Sequence, residues 1–436
     1  MELTLFTIAD NLDIYFKVDT LGILFAVLFS FIFLCIGIYS YDYFGHEAHH
    51  RKLFYVFFGI AWAVFLLMSF AGNLVTFYVL FEFMTLSTFP MVLIDRTKEA
   101  ILASLKYLFY SLAGAYCALF GLFFVCRYAT TIKFTPGGVL SPEAVAEHPT
   151  LMLVCAFMMI IGFGVKAGLF PMHAWLPTAH PVAPSPASAL LSGVIVKGGI
   201  LAMIRVIYEI FGIDFLRGTW VQTTVIILSL ITIFMGSMVA LGEQRLKKRL
   251  AYSTVSQLSY IVFGLMLFNE TAFAGSILQL VSHALCKSAL FMCAGSFLTE
   301  GIQNVSDLNG IGYRMRMTIW SFIIASLGLI GIPPTLGAFA KWNLGTGSFT
   351  SGVPVLSIIG PIVLIISALL TAGYLLPIAT RAFFKVGSES ELCLKAHEKS
   401  KIMTIPTAIL AIVSMAVGIL PWGVQIMIDK MSVFFR

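Results

Sequence analysis

Long apolar runs dominate the sequence, and about twelve of them are long enough to cross a lipid bilayer as a helix. They lie near residues 20–40, 54–71, 74–94, 100–125, 151–177, 184–208, 219–241, 251–268, 271–298, 318–346, 355–384 and 403–425. Stretches such as FAVLFSFIFLCIGIY are apolar on every face, whereas the strands of a membrane barrel alternate apolar and polar residues. The sequence therefore predicts an all-α polytopic membrane protein with about twelve transmembrane helices, numbered 1 to 12 in this subsection.

The basic residues orient this predicted bundle in the membrane. The loops after odd-numbered helices hold fifteen of the 27 lysines and arginines, and the opposite side holds seven, among them Arg205. The positive-inside rule therefore places both termini outside and the odd loops in the cytoplasm. These loops, facing an anionic lipid leaflet, account for the net charge of +6, so binding to nucleic acid is not predicted.

The remaining five basic residues lie inside apolar runs, and all five are lysines. The intramembrane charges are Glu82, Lys106, Lys166, Lys197, Lys287 and Lys341. Each costs at least about 2.5 to 3.5 kcal/mol at the centre of a bilayer, so each needs a partner, water or a function. A buried lysine can release its proton, whereas an arginine stays charged. Because no arginine and only one carboxylate accompany the lysines, the pattern predicts a charge-transfer path.

Two five-helix blocks organise the predicted helices. The first block covers residues 54–210 and the second 211–402, between an N-terminal helix with its loop (1–53) and a C-terminal helix (403–436). Since five is odd, the second block enters the membrane from the opposite side, which makes an inverted repeat. The third helix of each block carries a lysine, Lys106 or Lys287, and the fourth carries Lys166 or Lys341.

Prolines interrupt the fourth helix of both blocks. Pro171 and Pro177 follow Lys166, and Pro333 and Pro334 precede Lys341. Proline removes a hydrogen bond from the helix, and the freed backbone groups in a membrane must face protein or water. A packing kink would explain one such break. Matched breaks, each beside a lysine, predict a broken helix with a hydrated, polar centre in each block.

Four stretches of sequence resemble a known family. They read GFGVKAGLFPMHAWLPTAHPVAPSPASALLSGVIVKGGILAMIR, LKKRLAYSTVSQLSYIVFGL, HALCKSALFMCAG and GLIGIPPTLGAFAKW. They are similar to the antiporter-like subunits of respiratory complex I, of energy-converting membrane-bound hydrogenases and of Mrp-type cation/proton antiporters. The resemblance runs from about residue 15 to residue 425. Relative to that family the chain is short by two N-terminal helices, which puts its packing against a neighbouring subunit in doubt.

The family resemblance implies a proton-translocating subunit in the inner membrane of a prokaryote. Such a subunit carries no cofactor or metal and assembles with other membrane subunits, including further antiporter-like paralogues and a peripheral redox module. It would be a non-redox subunit of an ion-translocating oxidoreductase. The seven cysteines are consistent with this expectation because none forms a CxxC pair.

The resemblance also implies roles for individual residues. The transmembrane glutamate of the family matches Glu82, its central lysine matches Lys166, and its bridging lysine matches Lys197. The family also has a histidine and a lysine together on the next lysine-bearing helix, and a lysine at the end of the line. These three residues match three further positions. These are His283, Lys287 and Lys341.

The chemistry of these side chains suggests how they work. A carboxylate in a low-dielectric site needs a nearby cation, so we expect Glu82 to pair with Lys166, and opening of the pair would favour release of the lysine proton. The structural alternative is a static salt bridge. His173 and His180, beside the first break, are candidate relays or structural hydrogen-bonding residues. Lys106 is a candidate relay, or a lysine that extends to the membrane surface.

Three functions remain open on the sequence alone. The first is the proton-translocating subunit of a redox-driven complex, the second a Na⁺/H⁺ antiporter subunit of the Mrp type, and the third a stand-alone solute carrier. Dependence of transport on sodium separates the first two. Copurification with other membrane subunits separates both from a carrier, which would purify alone.

Overall fold

The computed structural model describes residues 2–9, 12–45, 48–384 and 391–435, and most of them are helical. The first nine helices are α1 (Thr20–Tyr43), α2 (Ala48–Ser69), α3 (Leu74–Val92), α4 (Lys98–Tyr128), α5 (Pro142–Glu147), α6 (Pro149–Lys166), α7 (Leu176–Val182), α8 (Ser185–Leu190) and α9 (Val196–Ile204). The others are α10 (Ile213–Leu216), α11 (Trp220–Gly242), α12 (Leu246–Leu265), α13 (Glu270–Leu298), α14 (Arg316–Ile330), α15 (Leu336–Phe349), α16 (Leu356–Phe383), α17 (Glu391–Lys395), α18 (Lys401–Ile419) and α19 (Trp422–Met431).

Helices occupy all twelve of the predicted membrane runs. Among the described residues, ten helical segments are long and apolar enough to cross a membrane. The two remaining runs contain α12, which begins with the polar sequence LKKR, and the broken pair α14 and α15. The prediction of an all-α polytopic fold with two inverted five-helix repeats is thus confirmed. The boundaries proposed for the repeats stay a prediction.

Two helices form the centre of the bundle. One is α13, and the other, called here the central helix, is the continuous segment Ser185–Phe211, which contains α8, α9 and two π-helical stretches, Leu191–Ile195 and Arg205–Phe211. Both helices are wholly buried across their apolar spans. They approach closely, because a Cβ atom added to Gly193 would lie 1.9 Å from the Ser288 hydroxyl oxygen. Two wholly buried helices in direct contact bring residues of both repeats together.

Both predicted helix breaks are present. In the first, α6 ends at Lys166 and α7 begins at Leu176; Pro171 lies in the break, while Pro177 lies in the first turn of α7, where a missing N–H costs nothing. In the second, α14 ends at Ile330 and α15 begins at Leu336, with Pro333 and Pro334 between them. The prolines therefore locate the breaks correctly. Pro177, however, lies at the start of a half-helix and does not interrupt a helix.

An N-terminal hairpin was not predicted. The strands β1 (Glu2–Ala9) and β2 (Leu12–Lys17) pair antiparallel, with Leu3 opposite Phe16. The second strand also bonds the turn between α2 and α3, where the Lys17 N–H donates to the Phe70 carbonyl over 2.8 Å. The β-branched and aromatic residues in LTLFTI and LDIYFK, separated by the residues ADN, were the available signal.

Candidate functional site

The predicted charged residues lie on five helices around the bundle centre. Glu82 is on α3, Lys166 ends α6, Lys197 is on the central helix, His283 and Lys287 are on α13, and Lys341 is on α15. Lys197, His283 and Lys287 are completely buried, Lys166 is 1% exposed, and the other two are half-buried. The fold therefore encloses most of these groups in protein and away from lipid.

The ammonium group of Lys166 is held by hydroxyl groups from α4. It donates to the Tyr107 hydroxyl over 2.8 Å and to the Ser111 hydroxyl over 2.9 Å, and it lies 4.3 Å from the centre of the Tyr107 ring. The Tyr107 hydroxyl in turn lies 2.7 Å from that of Thr88. Because hydroxyls both donate and accept, this site can bind the amine with or without its extra proton.

The expected contact between Glu82 and Lys166 is not formed in this structure. Within the described residues, no ion pair of 4.0 Å or less joins them, and the Glu82 Oε1 atom is buried without a hydrogen-bond partner. The two charges still act on each other through space. Glu82 and Lys166 are thus neighbours without a direct salt bridge.

Lys197 bonds a carbonyl in the widened turn of its own helix. Its ammonium group donates to the Ser192 carbonyl, five residues earlier, within the π-helical stretch Leu191–Ile195. Wide turns of this kind occur often at functional sites. Sequence inspection identified the lysine and missed the π-helical turn.

Polar atoms lie between Lys197 and Lys287 without forming a continuous hydrogen-bonded chain. Lys197 bonds the Ser192 carbonyl, whereas the Ser192 hydroxyl lies 2.7 Å from the Thr254 hydroxyl, which donates to the Leu250 carbonyl over 3.0 Å. Lys287 donates to the same Leu250 carbonyl over 2.8 Å. The two lysines come from different repeats, so these polar atoms lie where the two repeats meet. Sequence inspection missed them because serine and threonine are common in membrane helices.

The histidines differ in their surroundings. His283 and His180 are completely buried, and neither ring nitrogen of either one has a hydrogen-bond partner in the part of the chain that the structure describes. His180 stacks on Phe291 at 4.6 Å and lies within electrostatic reach of Lys197 and Lys287. His283 is one helical turn from Lys287 on α13. Both histidines thus lie within electrostatic reach of the two central lysines.

The two other candidates lie at the edge of this group. His173 is half-buried in the first helix break and stacks on Phe170, with ring centres 5.9 Å apart. Lys106 is half-buried on α4, with no hydrogen bond to any described residue. The structure therefore does not bring Lys106 into the hydrogen-bonded part of the line. The described residues contain no group of three or more histidine, cysteine and acidic side chains placed to hold a metal.

Lys341 reaches across the second helix break. Its ammonium group donates to the Leu329 carbonyl over 2.6 Å and to the Ile330 carbonyl over 2.7 Å, at the end of α14. The carbonyl end of a helix carries a partial negative charge that stabilises a cation by about 0.3 to 1 kcal/mol, or more when buried. The break beside Lys341 thus creates the binding site for its own lysine.

The sequence predicts that no arginine lies among the buried charges and that Glu82 is the only membrane carboxylate, and both expectations are wrong. Arg205 is 1% exposed within the central helix, and Glu209 is a second carboxylate within a membrane helix. One Arg205 nitrogen, Nη1, lies 2.6 Å from an Asp19 oxygen and 2.7 Å from a Glu209 oxygen. An arginine tolerates burial here because two carboxylates pair with it. The spacing of four residues between Arg205 and Glu209 was the available signal.

Lys247 is also more buried than a loop residue would be. It was assigned to a cytoplasmic loop, but it lies in the first turn of α12, is 8% exposed and donates to the Ala183 carbonyl at the end of α7. Lys247 therefore bonds the carbonyl end of the half-helix α7, as Lys341 bonds the carbonyl end of α14.

Comparison with known sequences finds a family model and relatives that match most of this chain. Residues 71–371 match the family model described as NADH:quinone oxidoreductase/Mrp antiporter, TM. NADH-quinone oxidoreductase subunit N of Desulforudis audaxviator is 32% identical over 91% of this chain and 79% of its own length. A Na(+)/H(+) antiporter subunit of Bacillus subtilis is 27% identical over 92% of this chain and 79% of its own length.

A solved structure shares the fold. A chain in the Mrp complex from a Dietzia species superposes with a TM-score of 0.81 at 21% identity, covering 100% of this chain and 86% of that one. At this identity the similarity concerns the fold alone.

Removal of the Arg205 guanidinium should destabilise the protein strongly. Arg205→Leu leaves Asp19 and Glu209 without their cation, and breaking a buried pair in this way costs about 3 to 5 kcal/mol. Thermal unfolding of the purified protein in detergent measures the loss. Lys248→Ala is the matched control, because Lys248 pairs with Glu243 at a more exposed site, where about 1 kcal/mol or less is at stake. Equal losses in the two variants would contradict the structural importance of Arg205.

Proposed function

Because the chain belongs to the NADH:quinone oxidoreductase/Mrp antiporter transmembrane family, we propose that it is a proton-translocating, antiporter-like subunit of a multisubunit, redox-driven membrane complex. The observation that carries the proposal is that Lys197, His283 and Lys287 lie completely buried on the two central helices, where the two repeats meet. Titratable side chains gathered in this way suit proton movement along the membrane plane. A stand-alone carrier would need one central substrate site.

Glu82 and Lys166 would act as the switch of this line. In the present structure Lys166 is bound by hydroxyls and Glu82 is apart from it. An approach of the carboxylate favours the charged ammonium, whereas its withdrawal leaves a buried cation without an anion and favours loss of the proton. A charge change in a neighbouring subunit that moves Glu82 would therefore be converted into proton transfer from Lys166.

The remaining residues would carry the proton onward. Lys197 would receive it and pass it through water to Lys287, with His283 as a relay one turn away from Lys287. Lys341, on α15 beside the end of α14, would release it to the outer side. His180 lies within electrostatic reach of both central lysines and is the better placed of the two histidines near the first break, while Lys106 and His173 stay peripheral candidates.

Substitution at either end of the line tests the mechanism. Glu82→Gln removes the switching charge and Lys341→Ala removes the exit amine, so each should lower coupled proton pumping at least about tenfold, a modest loss for an essential proton-transfer group. Proton pumping by the reconstituted complex is the measurement, with subunit composition checked by gel filtration. Lys98→Ala, an exposed lysine at the start of α4, should pump normally. Normal pumping by both line variants would refute the mechanism.

A sodium/proton antiporter subunit is the second candidate function. The similarity to the Bacillus subtilis Na(+)/H(+) antiporter subunit over 92% of the chain supports it, and the same lysines would carry protons in either case. Transport by the purified complex, measured with sodium replaced by choline, separates the two. A redox-driven proton pump should continue without sodium, whereas an antiporter should stop.

The orientation follows from the charge distribution, and we place the loop between α11 and α12 in the cytoplasm of a prokaryotic cell, with both termini outside. This loop and the following turn carry four of the basic residues on that side, including Lys247 and Lys248. A single cysteine introduced at Lys248 should react with an impermeant thiol reagent only in inverted vesicles. Labelling in intact cells would show that this loop faces outward and would contradict the proposed orientation.

A further inference from the structure

An apolar groove runs along the outside of the bundle between α1 and α2. Its volume is about 760 Å³, within the range of about 300 to 1,000 Å³ that is usual for sites that hold small molecules. A Cβ atom added to Gly59 would meet no other atom within 4 Å, so the missing side chain leaves space there. The groove is lined by Leu34, Ile38 and Tyr41 of α1, by Gly59 and Trp62 of α2, and by Ile402 at the start of α18.

The polar side chains deep in the groove are bonded within the protein. The Trp62 indole nitrogen donates to the Ser30 hydroxyl over 3.2 Å, and the Tyr55 hydroxyl donates to the Gly37 carbonyl over 2.7 Å. A quinone ring bound here would bring carbonyl oxygens away from water without gaining hydrogen bonds from these donors, which is unfavourable. A hydrocarbon chain has no polar atoms to satisfy. The lining therefore favours a hydrocarbon chain as the occupant.

The length of the groove corresponds to one leaflet of a bilayer. From Ser30 to Tyr41 it follows about 16 Å of α1, at 1.5 Å per residue. The hydrocarbon core of a bilayer is about 30 Å thick, so one leaflet contributes about 15 Å. A transmembrane helix of a neighbouring subunit would cross both leaflets and would be expected to line a groove about twice as long. The dimensions thus favour an acyl chain over a helix.

The Tyr41 end of the groove lies at the end of the bundle that carries the loop between α11 and α12, called here the basic end. This location follows because Tyr43, the last residue of α1, lines one cavity together with Arg245 and Lys247. An acyl chain in the groove would therefore belong to a lipid of the leaflet at the basic end, with its headgroup beside Tyr41.

Positive groups are placed where that headgroup would lie. The Arg51 guanidinium carbon is 5.0 Å from the centre of the Tyr41 ring, and the exposed Lys401 directly precedes a residue that lines the groove. The Ser400 hydroxyl donates to Asp42 and does not cap α18, so the first N–H groups of this helix are available to an anion. Two cations and a helix N-terminus suit the phosphate of a lipid headgroup.

We propose that this groove binds one anionic phospholipid of the leaflet at the basic end, with an acyl chain between α1 and α2 and its phosphate at Arg51, Lys401 and the start of α18. The proposal goes beyond proton transfer and does not depend on it. Only 33% of the most apolar stretch of α2 is buried by protein. The bound lipid would cover part of the remainder and would connect α2 with α18.

Retention of lipid by the purified complex tests the site. The complex is exchanged into detergent micelles that contain phosphatidylglycerol and phosphatidylcholine with identical chains, and the lipids that stay bound are counted by native mass spectrometry. Gly59→Leu fills the groove at a position with space for a side chain, so retention of one phosphatidylglycerol per chain should fall at least about tenfold. Gly345→Leu, on α15 and with the same open surroundings, is the matched control and should retain the lipid. Equal retention in the two variants would overturn the proposal.

The basic residues test the headgroup. Arg51→Gln and Lys401→Gln should each lower the preference for phosphatidylglycerol over phosphatidylcholine about fivefold, the effect of one basic residue near a membrane surface. Lys98→Gln removes an exposed charge at the same end, between two residues that line the cavity with Lys247, and should leave the preference unchanged. Equal retention of the two lipids by the unaltered complex would contradict an anionic headgroup.

Crosslinking separates a lipid from a protein occupant. Ile38→Cys places a thiol in the groove at a position that is 46% exposed, and benzophenone maleimide coupled to it in native membranes reacts on illumination with whatever lies beside it. We expect an adduct with phospholipid, above the background that the native cysteines give in the unaltered chain. An adduct with another subunit would overturn the lipid assignment. Neither result alters the expected pumping defects of Glu82→Gln and Lys341→Ala, so the two proposals fail separately.

Discussion

Buried ammonium groups need oxygen acceptors, and most of those in this protein use backbone carbonyls that helix ends and irregular turns supply. Lys341 bonds carbonyls at the end of α14, Lys247 bonds the end of α7, and Lys197 bonds a carbonyl in a π-helical turn. In the middle of a regular helix these carbonyls would already accept hydrogen bonds from the backbone. The helix breaks and π-helical turns therefore supply acceptors for three of these cations, while Lys166 uses hydroxyls and Lys287 shares a carbonyl of α12.

Much of this architecture could be predicted from the sequence because membrane burial leaves a strong mark on composition. The apolar runs predicted the helices, the prolines located both breaks, and rarity of charge identified Glu82, Lys166, Lys197 and Lys287. These inferences depend on local sequence, which fixes helix length and backbone hydrogen bonding. No assumption about tertiary packing was needed.

The parts that escaped prediction depend on partners distant in sequence. Burial of Arg205 requires Asp19, which is almost two hundred residues away. The polar atoms between Lys197 and Lys287 include the hydroxyl of Thr254, which lies on a third helix. The π-helical turns contain no proline or other residue that would have predicted them from the sequence. The packing of α3, α4 and α6 decides whether Glu82 contacts Lys166. Here the Lys166 ammonium group donates to the hydroxyls of Tyr107 and Ser111 on α4 instead. Sequence identifies the charged groups, and packing decides which atoms they meet.

The hydroxyl cradle of Lys166 gives that lysine a property the others lack. A carbonyl dipole is fixed by the backbone and can only accept, so Lys197, Lys287 and Lys341 sit in sockets of fixed polarity. The Tyr107 and Ser111 hydroxyls can rotate about their C–O bonds and reverse the direction of their hydrogen bonds. Rotation of two hydroxyl hydrogens is enough to reset this site after a proton has left, without any movement of a helix. Lys166 can therefore lose and regain a proton without losing its hydrogen-bond partners, whereas the other three lysines always face a fixed acceptor.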